Sequence, residues 1–402
     1  MLLELVIALV VGIIAGTFTG LFPGIHVNLV TVFLLAISPT LLQYTSPLII
    51  VIFIVAMSIT HSFLDFIPSI FLGAPDEDSF LSILPGHQLL KQSLGYEAVV
   101  LTLYGSLTAL FIILVFIPIF IFILPIIYNS ITLLVPFILI FISIFLIFRE
   151  KEYLLSLTIF ILAGFLGLLT FSLPVKEPLL PLLTGLFGTS ALILSLKSQT
   201  SKLKQQLISP IKKITLTKKQ IIKNTIAASL TAPLCSFLPG IGSGHAAILA
   251  SELTEQNPRS FLFLVGSINT IVIALSFIAI YAINKTRSGA AVAVKEILKS
   301  ISIQDLAIII ITIILSAIIS FILGIQLSKL AAKHIHKINY KTLSIITLFI
   351  LVIVNMVFSN PLGLLILTAS TSLGTFAVLS NSRRINLMGS LLIPTIIFYL
   401  VN

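Results

Sequence analysis

"LFPGIH" at residues 21–26 and "FLPGIG" at 237–242 are near-copies of one another, set 216 residues apart in a chain of 402. Each places a Pro-Gly break inside strongly apolar sequence, and reading those two breaks decides the fold. A single Pro-Gly between apolar stretches reads as an ordinary turn between two helices. Two copies at matched places, each followed by a polar-then-apolar piece ("IHVNLVTVFLLAI" and "IGSGHAAILASEL"), read instead as the tips of two re-entrant helical hairpins.

The surrounding composition demands a membrane. The chain is 58% hydrophobic and 9% charged, with a mean hydropathy of +1.21. A hydrocarbon core of ~30 Å requires helices of roughly 17–25 apolar residues. About ten such stretches occur beside the hairpins: 46–72, 98–124, 128–148, 153–172, 178–196, 260–282, 302–328, 342–358, 361–380 and 385–401. Continuous runs such as "FIILVFIPIFIFIL" (111–124) lack the alternation of a membrane β-barrel. The fold class is therefore all-α and polytopic. No Lys or Arg precedes Lys91, so the first twenty residues lack the basic start of a signal peptide and count as structure. The lone Cys235 excludes an intramolecular disulfide and a cysteine-based metal cluster. The net charge of +10 comes from Lys and Arg between apolar spans, a distribution that points to membrane orientation rather than nucleic acid.

Those charges also set the topology. The connection 197–223 holds eight Lys and no acid, which makes it cytoplasmic. If 221–255 enters halfway, breaks at Pro239-Gly240 and returns, then 18 Lys and Arg fall inside: Lys91, Arg149, Lys151, the eight of 197–223, Arg259, four in 329–341, Arg383 and Arg384. Five remain outside: Lys176, Lys285, Arg287, Lys295 and Lys299. If residues 3–37 form a matching hairpin broken at Pro23-Gly24, the N-terminus lies outside and each half becomes one hairpin plus five crossings. An odd number of crossings inverts the second copy. The expected organisation is thus a first repeat over 1–196, a basic linker over 197–220 and an inverted second repeat over 221–402.

A Pro-Gly break frees backbone N–H groups at the start of the next helix, where the dipole adds about half a positive charge. Carboxylate or phosphate suits such a place. Pro23, Gly24, His26 and Asn28 at the first tip, and Pro239, Gly240, Gly242, Ser243, Gly244 and His245 at the second, form the expected anion site. Either histidine could equally make a structural hydrogen bond. Asn269 and Thr270 lie mid-span, where polar side chains bridge helices or line a path. Arg287 and Ser288, in 281–298, add a guanidinium and a hydroxyl to the substrate set, unless that stretch is a solvated loop. For ion coupling or gating, His61 and Asp65 share a helix face at i,i+4, as a coupling pair or as an inert ion pair. Asp76, Glu77, Asp78 and Ser79 follow a Gly-Ala-Pro break as a cation-binding or gating feature, or a solvated loop. No hydrolase, P-loop or metal-protease motif appears, and no repeated filter loop of a channel.

These motifs resemble the large membrane subunit of tripartite tricarboxylate transporters, the TctA family (DUF112), in its short archaeal-type branch. The family's "G-x-x-P-G-x-G" loop is matched by "GLFPGIH" (20–26) and again by "SFLPGIGSGHAA" (236–247). "LGAPDEDSFLSILPGHQLLKQSLGYEAV" (72–99) follows its longer signature, with Pro75, Gly86, Lys91 and Gly95 in register. His26 stands where the first loop usually has its second glycine, and "PGHQ" replaces the DGYP-like motif. The resemblance implies a plasma-membrane permease, without a cofactor. It would be driven by Na+ or H+, carry citrate-like or other small carboxylates, and work with a small membrane subunit and an extracytoplasmic solute-binding protein. Two other readings fit the same residues: a flippase for an anionic lipid carrier such as a polyprenyl phosphate, and a non-transporting membrane scaffold or enzyme.

Overall fold

A computed structural model describes residues 2–22, 27–73, 79–131, 134–197, 205–214, 216–236, 242–286, 288–335 and 340–401. Among them there is no strand. The first half of the chain forms α1 (Leu2–Leu21), α2 (Val27–Leu41), α3 (Pro47–Leu64), α4 (Phe66–Leu72), α5 (Ile83–Lys91), α6 (Gly95–Ile131), α7 (Val135–Phe148), α8 (Tyr153–Ser172), α9 (Leu179–Leu183) and α10 (Ser190–Lys197). A π-helical turn, Thr184–Thr189, joins the last two. The second half forms α11 (Lys218–Cys235), α12 (Ser243–Leu253), α13 (Pro258–Ile283), α14 (Gly289–Leu298), α15 (Ile303–Ile335), α16 (Tyr340–Leu379) and α17 (Gly389–Val401). Eight helical segments among the described residues are long and apolar enough to cross a membrane.

Local chemistry explains most boundaries. Thr217 caps α11 by accepting the Gln220 N–H at 3.3 Å, while Gln220 Oε1 accepts the Thr217 N–H at 3.1 Å. Asn257 and Ser260 exchange the same pair of bonds at 2.9 Å ahead of α13, with Pro258 at its first position. Straight, the 40 residues of α16 would run about 60 Å. They do not, because Asn360 adopts φ 61° and ψ 178° ahead of Pro361 and divides the helix into two arms.

Several expected boundaries change. Pro118 and Pro125 do not end α6, which runs on to Ile131. The expected span 128–148 is therefore cut to α7, 14 residues or about 21 Å long. The stretch 281–298, open to a loop reading, contains the helix Gly289–Leu298, with Ala290, Ala291, Ala293, Val294 and Ile297 buried, and a further helix, Ile83–Lys91, lies between the expected spans 46–72 and 98–124.

The chain divides into two compact units, and both halves of the sequence contribute to each. The first comprises Met1–Phe71, Leu81–Pro125 and Leu203–Lys337; the second comprises Leu72–Phe80, Ile126–Lys202 and Ile338–Asn402.

In the first unit, α3 with α4 and α13 are the central helices. Their apolar windows are 78% and 89% buried, against 33–39% for the other spans. Gly12, Gly16 and Gly20 of α1 sit against Phe53–Ala56, Met57–Thr60 and His61–Leu64 in ascending order, so α1 and α3 run parallel. Side chains there would strike backbone: a Cβ on Gly12 would come within 2.6 Å of the Phe53 carbonyl oxygen. Between these parallel helices the chain must come back. Accordingly Glu4 and Ile7 of α1 line one cavity of about 800 Å³ together with Leu41, Leu42 and Tyr44 at the end of α2. The same return occurs at the second break. Asn224 Oδ1, near the start of α11, accepts from Thr254 Oγ1 at 3.3 Å and Gln256 Nε2 at 2.7 Å, just beyond α12.

Contacts across the sequence halves are reciprocal. From the first half, α6 crosses α13 where Gly105 meets Gly266, and Ser106 and Ser267 each donate to the opposite glycine's carbonyl at 3.1 and 2.9 Å. From the second half, α15 crosses α3, where Ser320 donates to Thr60 Oγ1 at 2.9 Å. Likewise α5 packs on α13, and α14 on α3 and α2. At one end of this unit, Gln206 of the linker accepts the Gly95 N–H at 2.9 Å and donates to the Leu90 carbonyl at 3.3 Å. There too Arg259 pairs with Glu97 at 2.5 Å.

The second unit packs α17 on α8 and the α9–α10 segment on α16. At one end Arg383 pairs with Glu150. Elsewhere Ser359 and Asn360 donate to the carbonyls of Glu177 and Pro174 at 3.0 and 2.9 Å.

Candidate functional site

The site is built on the central helix pair of the first unit. Helix α3 carries "SITHSFLD" into an interruption at Asp65, after which α4 begins at Phe66. Pro68 explains part of the interruption: it has no N–H to offer the Leu64 carbonyl, four residues back. Ser69 doubles its bonds to the Asp65 carbonyl, through its N–H at 3.3 Å and its hydroxyl at 2.8 Å. His61 and Asp65 are 3% and 2% exposed. A carboxylate so deep in an apolar span is costly unless neutralised or coordinated, and marks a functional position by default.

Each neighbour of this break contributes a polar group. From α1, Thr19 donates to the Gly16 carbonyl at 3.3 Å and stands 3.1 Å from His61 Nδ1. The imidazole and the Thr19 hydroxyl are thereby hydrogen-bonded to one another across α1 and α3. From α13, Asn269 Nδ2 donates to the Ser62 carbonyl at 3.4 Å. Asn269 and Thr270 are fully buried, and Asn269 Oδ1 and Thr270 Oγ1 have no hydrogen-bond partner among the described residues. Thus α1 and α13 are each bonded to the turn of α3 that leads from His61 to Asp65.

Helix α12 brings His245 to its own start. The Gly242 N–H donates to His245 Nδ1 at 3.0 Å, which makes the ring a neutral cap with its hydrogen on Nε2. One amide of that helix start is therefore already occupied. Ser243 and Gly244 are buried in the same turn. Ser288 accepts the Ala291 N–H at 3.2 Å as the cap of α14. Ser79 is buried ahead of the short helical turn Phe80–Ser82, in the second unit. Asn28 belongs to the first turn of α2. Pro23, Gly24, His26, Asp76, Glu77, Asp78, Pro239, Gly240 and Arg287 lie outside the described residues. Among the described residues no three His, Cys, Asp or Glu side chains gather to hold a metal.

The family model described as "Tripartite tricarboxylate transporter TctA family" matches residues 6–389. The chain belongs to the TctA family. It is a membrane transporter component, and its family is one of tripartite-transporter subunits rather than enzymes. An uncharacterized protein of Methanocaldococcus jannaschii is 34% identical over 360 residues, covering 87% of this chain and 88% of that protein. No solved structure matches.

In this TctA chain several residues that shape the site carry a sequence signal outside the Pro-Gly motifs. Thr19 lies within "GIIAGTFTG" (12–20), whose four-residue glycine spacing is the small-residue ridge that seats α1 on α3. Gly105 and Gly266 gave no such pattern, because each is a single glycine whose partner sits on another helix.

Proposed function

We propose that this TctA protein is an ion-coupled secondary transporter for a small organic anion, such as a di- or tricarboxylate. The anion binds at the Pro-Gly tips, where freed amides at the starts of α2 and α12 meet it. The observation that carries the proposal is the polar turn of α3: His61 tied to Thr19 on α1, and Asn269 of α13 bonded to Ser62, within the most buried helices. Buried polar groups beside broken helices are what a translocation path needs, and an apolar scaffold has no use for them.

In this proposal the halves are inverted repeats. The matched stretches 46–72 and 260–282, and 98–124 and 302–328, fall in the first unit apart from its margins; the remaining three pairs fall in the second. The basic linker faces the cytoplasm and the N-terminus lies outside. A Na+ or H+ gradient supplies the energy through the His61–Asp65 turn. A small membrane subunit and an extracytoplasmic solute-binding protein complete the system.

Uptake of labelled citrate and succinate into proteoliposomes under an imposed Na+ or proton gradient tests the proposal. The wild type should accumulate a carboxylate, and Gly24→Leu or Gly240→Leu should abolish accumulation while the protein stays inserted, because each blocks approach to the freed amides. Absence of gradient-driven uptake of any carboxylate refutes it; full activity of both variants removes the tips from the site.

A further inference from the structure

We infer that the interruption of α3 at Asp65 is a binding site for one dehydrated sodium ion, formed by the Asp65 carboxylate, the Asn269 amide oxygen and the backbone carbonyl released by Pro68. The inference rests on the transport proposal above and assigns its coupling ion.

Asn269 is the first line of argument. Its amide nitrogen donates to the Ser62 carbonyl at 3.4 Å, which anchors the side chain against α3. That orientation leaves Oδ1, on a residue of 0% exposure, beside the same turn with no donor among the described residues. A helix carbonyl points toward the C-terminal end of its helix, so Ser62 directs this contact toward the interruption at Asp65. Burying an acceptor oxygen without a donor costs about 1–3 kcal/mol, and a cation removes that cost.

Backbone chemistry is the second, independent line. Pro68 has no N–H, so the Leu64 carbonyl lacks its helical donor at the residue adjoining Asp65. Carbonyls at interrupted membrane helices are the usual ligands of a coupling sodium. Thr270 adds a buried hydroxyl oxygen, also without a partner among the described residues, on the same turn of α13.

Charge and ligand type select the ion. One carboxylate supplies a single negative charge, enough for a monovalent ion, whereas calcium sites gather several carboxylates. An amide oxygen and a backbone carbonyl do not titrate, so they serve a metal cation better than a proton. Charge balance follows as well: one bound Na+ offsets the single negative charge of the buried carboxylate. His61 is the other titratable group on this face of α3, with its Nδ1 committed to Thr19. Opposite this stretch of α3, α13 presents the neutral Asn269 and Thr270, and α15 brings Ser320 to Thr60 and Gly324 to Leu64.

The test is thermal unfolding of the purified full-length protein in lipid nanodiscs, with NaCl replaced by KCl at constant ionic strength. Sodium that binds only the folded protein must raise its stability in a saturable way. The wild type should show a Na+-specific upward shift. Asp65→Asn should abolish it, and Asn269→Ala should raise the half-saturating Na+ concentration roughly tenfold. Equal shifts in Na+ and K+ overturn the site, as does an unaltered Na+ response in both variants. If Asp65→Asn fails to insert, the Na+/K+ comparison and Asn269→Ala still decide. Proton-driven uptake without any Na+-specific shift overturns this site alone; a Na+-specific shift without gradient-driven uptake overturns the transport proposal alone.

Discussion

Replacing Gly266 by alanine should destabilise the protein by about 1–3 kcal/mol. Around the crossing of α6 and α13, a Cβ on Gly266 would collide with the Thr102 carbonyl oxygen and lie 2.8 and 2.9 Å from its carbon and Cα. Ordinary carbon contacts are about 3.5–4.0 Å, so the helices must part by about 1 Å. Overpacking of this kind costs about 1–3 kcal/mol. Separation also stretches the reciprocal Ser106–Gly266 and Ser267–Gly105 bonds, each about 0.6 kcal/mol in a membrane interior. The better helix propensity of alanine returns up to about 1 kcal/mol. Gly324 is the control: a Cβ there would meet only the terminal methyls of leucine side chains, Leu103 Cδ2 at 2.7 Å and Cδ1 at 2.9 Å, and no backbone. Gly324→Ala should therefore cost clearly less than Gly266→Ala. Unfolding in mixed detergent micelles, followed by circular dichroism, measures both variants. Gly266→Ala as stable as Gly324→Ala would refute the close crossing.

Gln206→Ala should loosen the linker, because it leaves the Gly95 N–H without its acceptor at a cost of about 1–3 kcal/mol, while the Leu90 carbonyl keeps the Ser93 N–H. Limited proteolysis between 198 and 216 should accelerate roughly tenfold, and an unchanged rate would contradict the latch. His245→Ala should cost about 1 kcal/mol by uncapping α12, whereas His245→Gln, which can still accept the Gly242 N–H, should recover most of it in the same unfolding assay.

Much of the fold was legible because a bilayer punishes unpaired backbone and exposed charge so heavily. Length and hydropathy located the long helices: α3 with α4, and α13, lie within two residues of their expected bounds, and α15 starts where expected but runs on to Ile335. Boundaries failed where packing overrides local signals. Two prolines do not interrupt α6, and the buried stripe of α14 offered too few apolar residues to stand out from a loop. At the site, His61 and Asp65 were visible as rare polar residues one turn apart. Their neighbours were less visible: Thr19 comes from 42 residues away along the chain, and only packing of α1 on α3 brings it there. His245 shows the reverse case, since a residue chosen for its titratable ring makes a bond to its own helix start.

Everything proposed about transport depends on hairpins that turn back and leave the two halves inverted. Single-cysteine accessibility in right-side-out and inverted vesicles tests this most directly, because Cys235 is the only cysteine and is buried, so Cys235→Ser supplies the background. Cysteines placed at Lys91, Lys219 and Arg259 should react with a membrane-impermeant reagent from the cytoplasmic face. Those at Tyr44 and Lys295 should react from the outer face. Labelling of Lys91 and Arg259 from opposite faces, or of Tyr44 and Lys91 from the same face, would contradict the inverted hairpins.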